Sequence, residues 1–136
     1  MKEQNKHHLK AFTLAEVLIV LAIIGILVML VIPNQAGSIA MAKSIEAKSM
    51  LNQVHSLEKN HFYMYSKYSM SLEEIGFEQE RLATEGGNAN YRIEILEASN
   101  SGFLAQATAV VDFDADGSMN VWQIDQDKNL TEITKD

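Results

Sequence analysis

The chain opens on a short polar stretch, MKEQNKHHLKA, and then turns apolar. From Phe12 to Ile32 it reads FTLAEVLIVLAIIGILVMLVI, 21 residues with a single charge, Glu16. A helix that is apolar all round has no polar face to give to water, so this run does not suit the surface of a small soluble core. At a rise of ~1.5 Å per residue it predicts a helix of about 30 Å, the thickness of a bilayer's hydrocarbon. After Pro33 the pattern changes. Residues 35–68 contain no proline and one glycine, Gly37. Ala47, Met50, Val54, Leu57, His61, Met64 and Tyr68 recur at steps of three and four, which is one face of an amphipathic helix. Lys43, Glu46, Lys48, Gln53, Glu58 and Lys59 fall on other faces. The two runs read as one long helix interrupted near Pro33 and Gly37, because proline removes a backbone donor and clashes with the preceding turn.

Beyond Ser69 the helical period is lost. SMSLEEIGFEQERLATEGGNAN is mixed and broken by Gly76, Gly86 and Gly87, so it reads as a connecting loop, with Ser71 and Glu74 spaced to open a short helical turn. Then the period becomes two. Tyr91, Ile93 and Ile95 alternate with Arg92 and Glu94, followed by an Ala- and Val-rich run from Phe103 to Phe113 and by Val121 to Ile124. Turn residues stand between them at 99–102, 114–117 and 125–129. This predicts an antiparallel meander of three or four short strands. Phe62, Tyr63, Tyr65 and Tyr68 are expected to cover that sheet. The fold class is α+β, a long N-terminal helix packed through its second half on a small antiparallel sheet. The boundaries fall at 1–11 for the basic leader, 12–33 for the apolar half of the helix, 34–68 for the amphipathic half, and 69–136 for the loop and sheet.

Charge adds direction to this picture. Residues 1–11 carry Lys2, Lys6 and Lys10 against Glu3. The remaining chain therefore has eight bases (11 less 3) and 17 acids (18 less 1), a net of −9. So acidic a head is a poor candidate for nucleic-acid binding, which needs a basic face. Positive charge ahead of the apolar run predicts a cytoplasmic N-terminus and an extracytoplasmic head. The chain has no cysteine. Disulfides cannot staple the small core, and packing, assembly or an ion must do so instead.

Three processing schemes compete for the apolar run. A secretory signal peptide has a shorter apolar region, about 7–15 residues, with a small-x-small site behind it; NQA and QAG after Pro33 match that poorly. A plain membrane anchor explains the length but gives Glu16 no purpose. In the third scheme a leader is cut off before the apolar run, which stays in the mature protein. Lys10-Ala11-Phe12-Thr13-Leu14-Ala15-Glu16, followed by VLIVLAIIGIL, closely resembles the N-terminus of type IV pilins and type II secretion pseudopilins. Gly25 and Pro33 also sit where that family carries a glycine and a helix-breaking proline. The segment AKSMLNQVHSLEKNHFYMYSKYSMSLEEIGF looks like the second half of a pilin helix and its exit loop, so the likeness covers roughly the first half of the chain. Two departures stand out: Ala11 replaces the usual glycine before the cut, and the cysteine pair that closes the C-terminal loop of many pilins is missing.

The resemblance implies cleavage between Ala11 and Phe12 by a prepilin peptidase, and polymerisation by an inner-membrane platform and a cytoplasmic ATPase into a helical filament of identical subunits. It gives Glu16 a partner. A carboxylate in an apolar helix costs ~2.5–3.5 kcal/mol near the centre and less near an end, and the amine of a neighbouring subunit's Phe12 would offset that cost and set the register. The competing account has Glu16 reaching interfacial water. Within the family the alternative is a type II secretion pseudopilin; of another class, a pilin used for adhesion or DNA uptake.

No catalytic constellation is present in the sequence. His55 and His61 are six apart and point to different helix faces, a poor metal pair. Asn129-Leu130-Thr131 is a formal glycosylation sequon of little weight. Asp112, Asp114 and Asp116, ahead of Gly117, have the spacing that opens a calcium loop, but its twelfth position is Gln123 and no helix leads in. The simpler reading is a hairpin turning at Asp116-Gly117, with Asp112 and Asp114 on the solvent side of a strand, and no cofactor is expected.

Overall fold

The computed structural model describes residues 11–31 and 35–135. It divides into two compact units, residues up to Gln35 and residues from Ala36 on. The first holds one helix, α1, Leu14–Val31, with every residue exposed. It is long and apolar enough to cross a membrane. Exposure of an all-apolar surface makes sense only against lipid or other apolar helices.

Helix α2, Gln35–Tyr65, opens at the boundary and belongs to the second unit from Ala36 on. Its buried stripe is Ala40, Ser44, Ala47, Leu51, Val54, Glu58 and His61, at alternating steps of four and three. The stripe is rotated from the expected one: Leu51 and Glu58 take the centre, Met50 and Leu57 flank it, and Met64 is exposed. Glu58, expected on a polar face, is fully buried. Gly37 is not a break, since it lies inside α2. A single glycine costs a helix about 1 kcal/mol, which the surrounding turns outweigh. The expected break at Pro33 lies outside the described residues. The helix stops at Tyr65, three residues short of Tyr68, because Ser66 turns left-handed at φ 57°.

A single turn over 72–76 follows, with the Ser71 hydroxyl accepting the Glu74 N–H at 3.3 Å. Between Leu82 and Ala89 the chain folds back on itself around a 3-10 turn, Ala83–Glu85. Gly87 is required there: a Cβ would lie 1.9 Å from the Arg81 carbonyl oxygen.

The sheet is a four-stranded antiparallel meander in chain order: β1 Tyr91–Ala98, β2 Phe103–Ala109, β3 Val121–Asp125, β4 Leu130–Thr134. Period two is clearest in β1 and β2, whose alternate residues Tyr91, Ile93, Ile95, Phe103, Ala105, Ala107 and Ala109 are buried. With Ala47, Leu51 and Val54 of α2 and with Ile124, these residues form the core. Alanines along β2 lack bulk, and Leu51, Tyr91 and Ile124 fill the volume. Phe62 and Tyr68 stack with ring centroids 4.8 Å apart, and Tyr68 meets Phe103 at 5.1 Å. Tyr63 and Tyr65 do not cover the sheet, being 78% and 62% exposed.

Two polar clamps do the work of the missing disulfides. Glu46 of α2 accepts the backbone N–H and the side-chain amide of Asn90, both at 2.7 Å, at the entrance to β1. The buried Tyr91 hydroxyl donates to Asn120 Oδ1 at 2.8 Å, and Asn120 Nδ2 donates to Glu132 Oε1 and to the Thr134 carbonyl. One side chain ahead of β3 thereby ties β1 to β4 across the sheet.

Candidate functional site

The site begins where helix α1 begins. Ala11, Phe12 and Thr13 are non-helical and exposed, Phe12 at 83%. The Ala11–Phe12 bond therefore sits in exposed, non-helical chain just ahead of a regular helix. Thr13 and Glu16 form a reciprocal cap. Glu16 Oε2 accepts the Thr13 N–H at 2.7 Å and the Thr13 hydroxyl at 2.9 Å, while Thr13 Oγ1 accepts the Glu16 N–H at 3.2 Å. First-turn amides otherwise lack partners, and the positive end of the helix favours a carboxylate there. The sequence carries this in plain form, threonine followed three residues later by glutamate, a local partner beside the neighbouring amine or interfacial water expected for Glu16. Among the described residues Oε2 alone of the two Glu16 oxygens makes the cap.

The chain matches the model of the prokaryotic N-terminal methylation motif over residues 7–32. The matched stretch contains the Ala11–Phe12 junction, the Thr13–Glu16 cap and all of α1. A type IV major pilin protein, PilA of Myxococcus xanthus (strain DK1622), is 40% identical over 84 residues, which is 62% of this chain and 36% of the relative. Over that stretch the chain is similar to a type IV pilin. The match spans about a third of the relative's length, so what the two share is a part of that protein and not its whole. The motif and an apolar helix of membrane-crossing length fall on the same residues, which fits anchoring in a membrane.

The acidic loop is built differently from the expected hairpin. Strand β2 ends at Ala109 and β3 starts at Val121, so Asp112, Asp114 and Asp116 lie in a connection over 110–120 and on no strand. Their carboxylate oxygens gather within 4.8 Å of one another. The loop's own amides organise them. Asp112 accepts Ala115 N–H at 2.6 Å and Gly117 N–H at 2.8 Å, Asp114 accepts Asp116 N–H at 3.0 Å, and Asp116 accepts Ser118 N–H at 2.7 Å. The bond from Gly117 holds the Asp112 carboxyl below its ordinary range. Gln123, at the twelfth position of the would-be calcium loop, sits in β3 with its amide donating to Gln106 Oε1 at 2.7 Å. It is committed to joining β2 and β3.

His55 and His61 are not brought together in a metal site. His55 Nε2 lies 3.2 Å from the Gln126 carbonyl, and His61 Nδ1 lies 2.9 Å from the Lys67 carbonyl. The cluster around Glu58 was missed because a glutamate between two lysine-bearing turns reads as solvated. The step pattern 51, 54, 58, 61 was the signal that would have found it.

Proposed function

We propose that this chain is the structural subunit of a type IV pilus-like filament and not an enzyme. It enters the inner membrane with its N-terminus cytoplasmic, loses residues 1–11 to a prepilin peptidase, and polymerises through α1. A platform in the inner membrane and a cytoplasmic ATPase drive assembly, and the acidic head faces outward. The reading rests above all on the coincidence of the methylation motif with the helix start: the exposed Ala11–Phe12 bond lies just ahead of α1, and the sole charge of α1 lies in its first turn. The new Phe12 amine of one subunit would approach Glu16 Oε1 of the next, while Oε2 keeps the cap. In a dry interior that pairing is directional and fixes the axial step. The likeness to a major pilin favours a pilus over a type II secretion pseudopilus.

Mass spectrometry of sheared filaments tests the scheme. The expected subunit starts at Phe12 with a methylated amine. Filaments whose subunits retain residues 1–11, or a mature protein starting beyond Pro33, would refute it.

A further inference from the structure

Where α2 ends, two of its buried side chains grip the segment that follows. Glu58 is fully buried; its Oε2 accepts the Ser69 N–H at 3.0 Å, and its Oε1 is buried without a hydrogen-bond partner. His61, 2% exposed, places Nδ1 2.9 Å from the Lys67 carbonyl and Nε2 3.7 Å from Glu74 Oε1. The ring closes at Glu74, whose Oε2 takes the Ser69 hydroxyl. Residues 67–74 are thus held to α2 through one amide, one carbonyl and one carboxylate, all answering to titratable groups, and the Ser69 hydroxyl ties the segment to itself.

We propose that Glu58, His61 and Glu74 form a proton-operated latch that fastens residues 67–74 to the end of α2, closed while Glu58 carries its proton and loosened when it is lost. The neutral acid keeps its carbonyl oxygen for the Ser69 N–H and puts its proton on Oε1. The anion leaves a buried charge whose second oxygen nothing satisfies, a costly state. Burial pushes the Glu58 carboxyl up, Glu74 adds to that, and the Ser69 amide and His61 pull the other way. Of the other charged groups nearby, Lys59 donates to the Tyr68 hydroxyl at 3.1 Å, and Lys67 acts on Glu74. Phe103, packing on Tyr68 from β2, brings no charge. The sign follows. A carboxyl raised in the folded state stabilises fully below its unfolded value and loses that contribution as pH rises through the folded one. Glu74, lowered first by the Ser69 hydroxyl, works oppositely and fails as pH falls. The latch is tightest in the mildly acidic window between the two.

The test uses the full chain in detergent micelles. Carbon NMR of labelled glutamates should place the Glu58 midpoint above that of an ordinary glutamate. Exchange of the Ser69 amide, corrected for the intrinsic rate, should accelerate by about tenfold or more between about pH 5 and about pH 8. Glu58→Gln keeps an acceptor for Ser69 but cannot titrate, so the acceleration should vanish. A Glu58 midpoint at or below the ordinary value, or an unchanged pH response in Glu58→Gln, overturns the latch. Should the variant fail to fold, the wild-type titration alone decides.

Discussion

Thr13 and Glu16 hold each other across the first turn of α1, the hydroxyl and N–H of one meeting Oε2 of the other at 2.9 and 2.7 Å. The same glutamate thus serves its own helix and, in the proposed filament, its neighbour. The two duties separate by mutation. Thr13→Ala removes the hydroxyl half of the cap, costs the helix about 1 kcal/mol, and should fray the first turn while filaments still form. Glu16→Gln can still cap, since glutamine serves in a capping box, but it has no charge for an amine. Pilus yield should fall sharply in Glu16→Gln and mildly in Thr13→Ala. Equal losses would reduce Glu16 to a capping residue.

Helix α1 was legible from its unbroken apolar run, and α2 and the sheet order because periodicity reports burial directly. The stripe on α2 was misplaced by about one residue because Met50 and Leu57 look more apolar than Glu58. Hydropathy has no way to register that Glu58 is needed inside to meet the Ser69 amide. The acidic loop was misread for a related reason. Alternation seemed to continue through Phe113, but the strand ends at Ala109, where Asn120 takes over pairing and Asp112 starts collecting loop amides. The Glu46–Asn90 clamp joins residues 44 apart and left no local trace.

That clamp should matter to stability. Glu46→Ala strands the Asn90 N–H at the head of β1, and losing a charge-assisted pair of this kind costs about 1–3 kcal/mol. In a head of this size each kcal/mol is worth about 4–8 °C in melting temperature. Glu46→Gln retains one acceptor and should lose less. Thermal unfolding followed by circular dichroism checks both, and an unchanged Glu46→Ala would show that the clamp is dispensable.

Tyr91→Phe probes the second clamp. The ring still fills the core, but Asn120 Oδ1 loses its buried donor at 2.8 Å. The expected cost is about 1–3 kcal/mol, because an unsatisfied buried acceptor carries its full desolvation penalty. Amide exchange should rise most around Asn120 and Thr134, where Asn120 bridges to β4. Unchanged stability, with no local rise in exchange, would mean that the ring, and not the hydroxyl, sets the stability.

Asp112 gives a prediction of opposite sign to Glu58. Its carboxyl is lowered by the Gly117 amide, so its contribution is present above the ordinary aspartate value of about 3.9 and lost as pH falls below that through the folded value. Acidification should release the Gly117 and Ala115 amides together, since both bond to this one carboxylate. Because the loop is exposed, the rest of the head should stay folded through this step. Asp112→Asn offers one acceptor oxygen in place of two and should abolish the acid step. Calcium bears on the same residues. With loop amides already bonded to all three aspartates and Gln123 held by Gln106, millimolar calcium should leave the melting temperature where a chelator leaves it. A calcium-dependent rise, lost in Asp114→Asn, would instead mean that the gathered carboxylates hold a cation, since a ligand bound only by the folded state stabilises it.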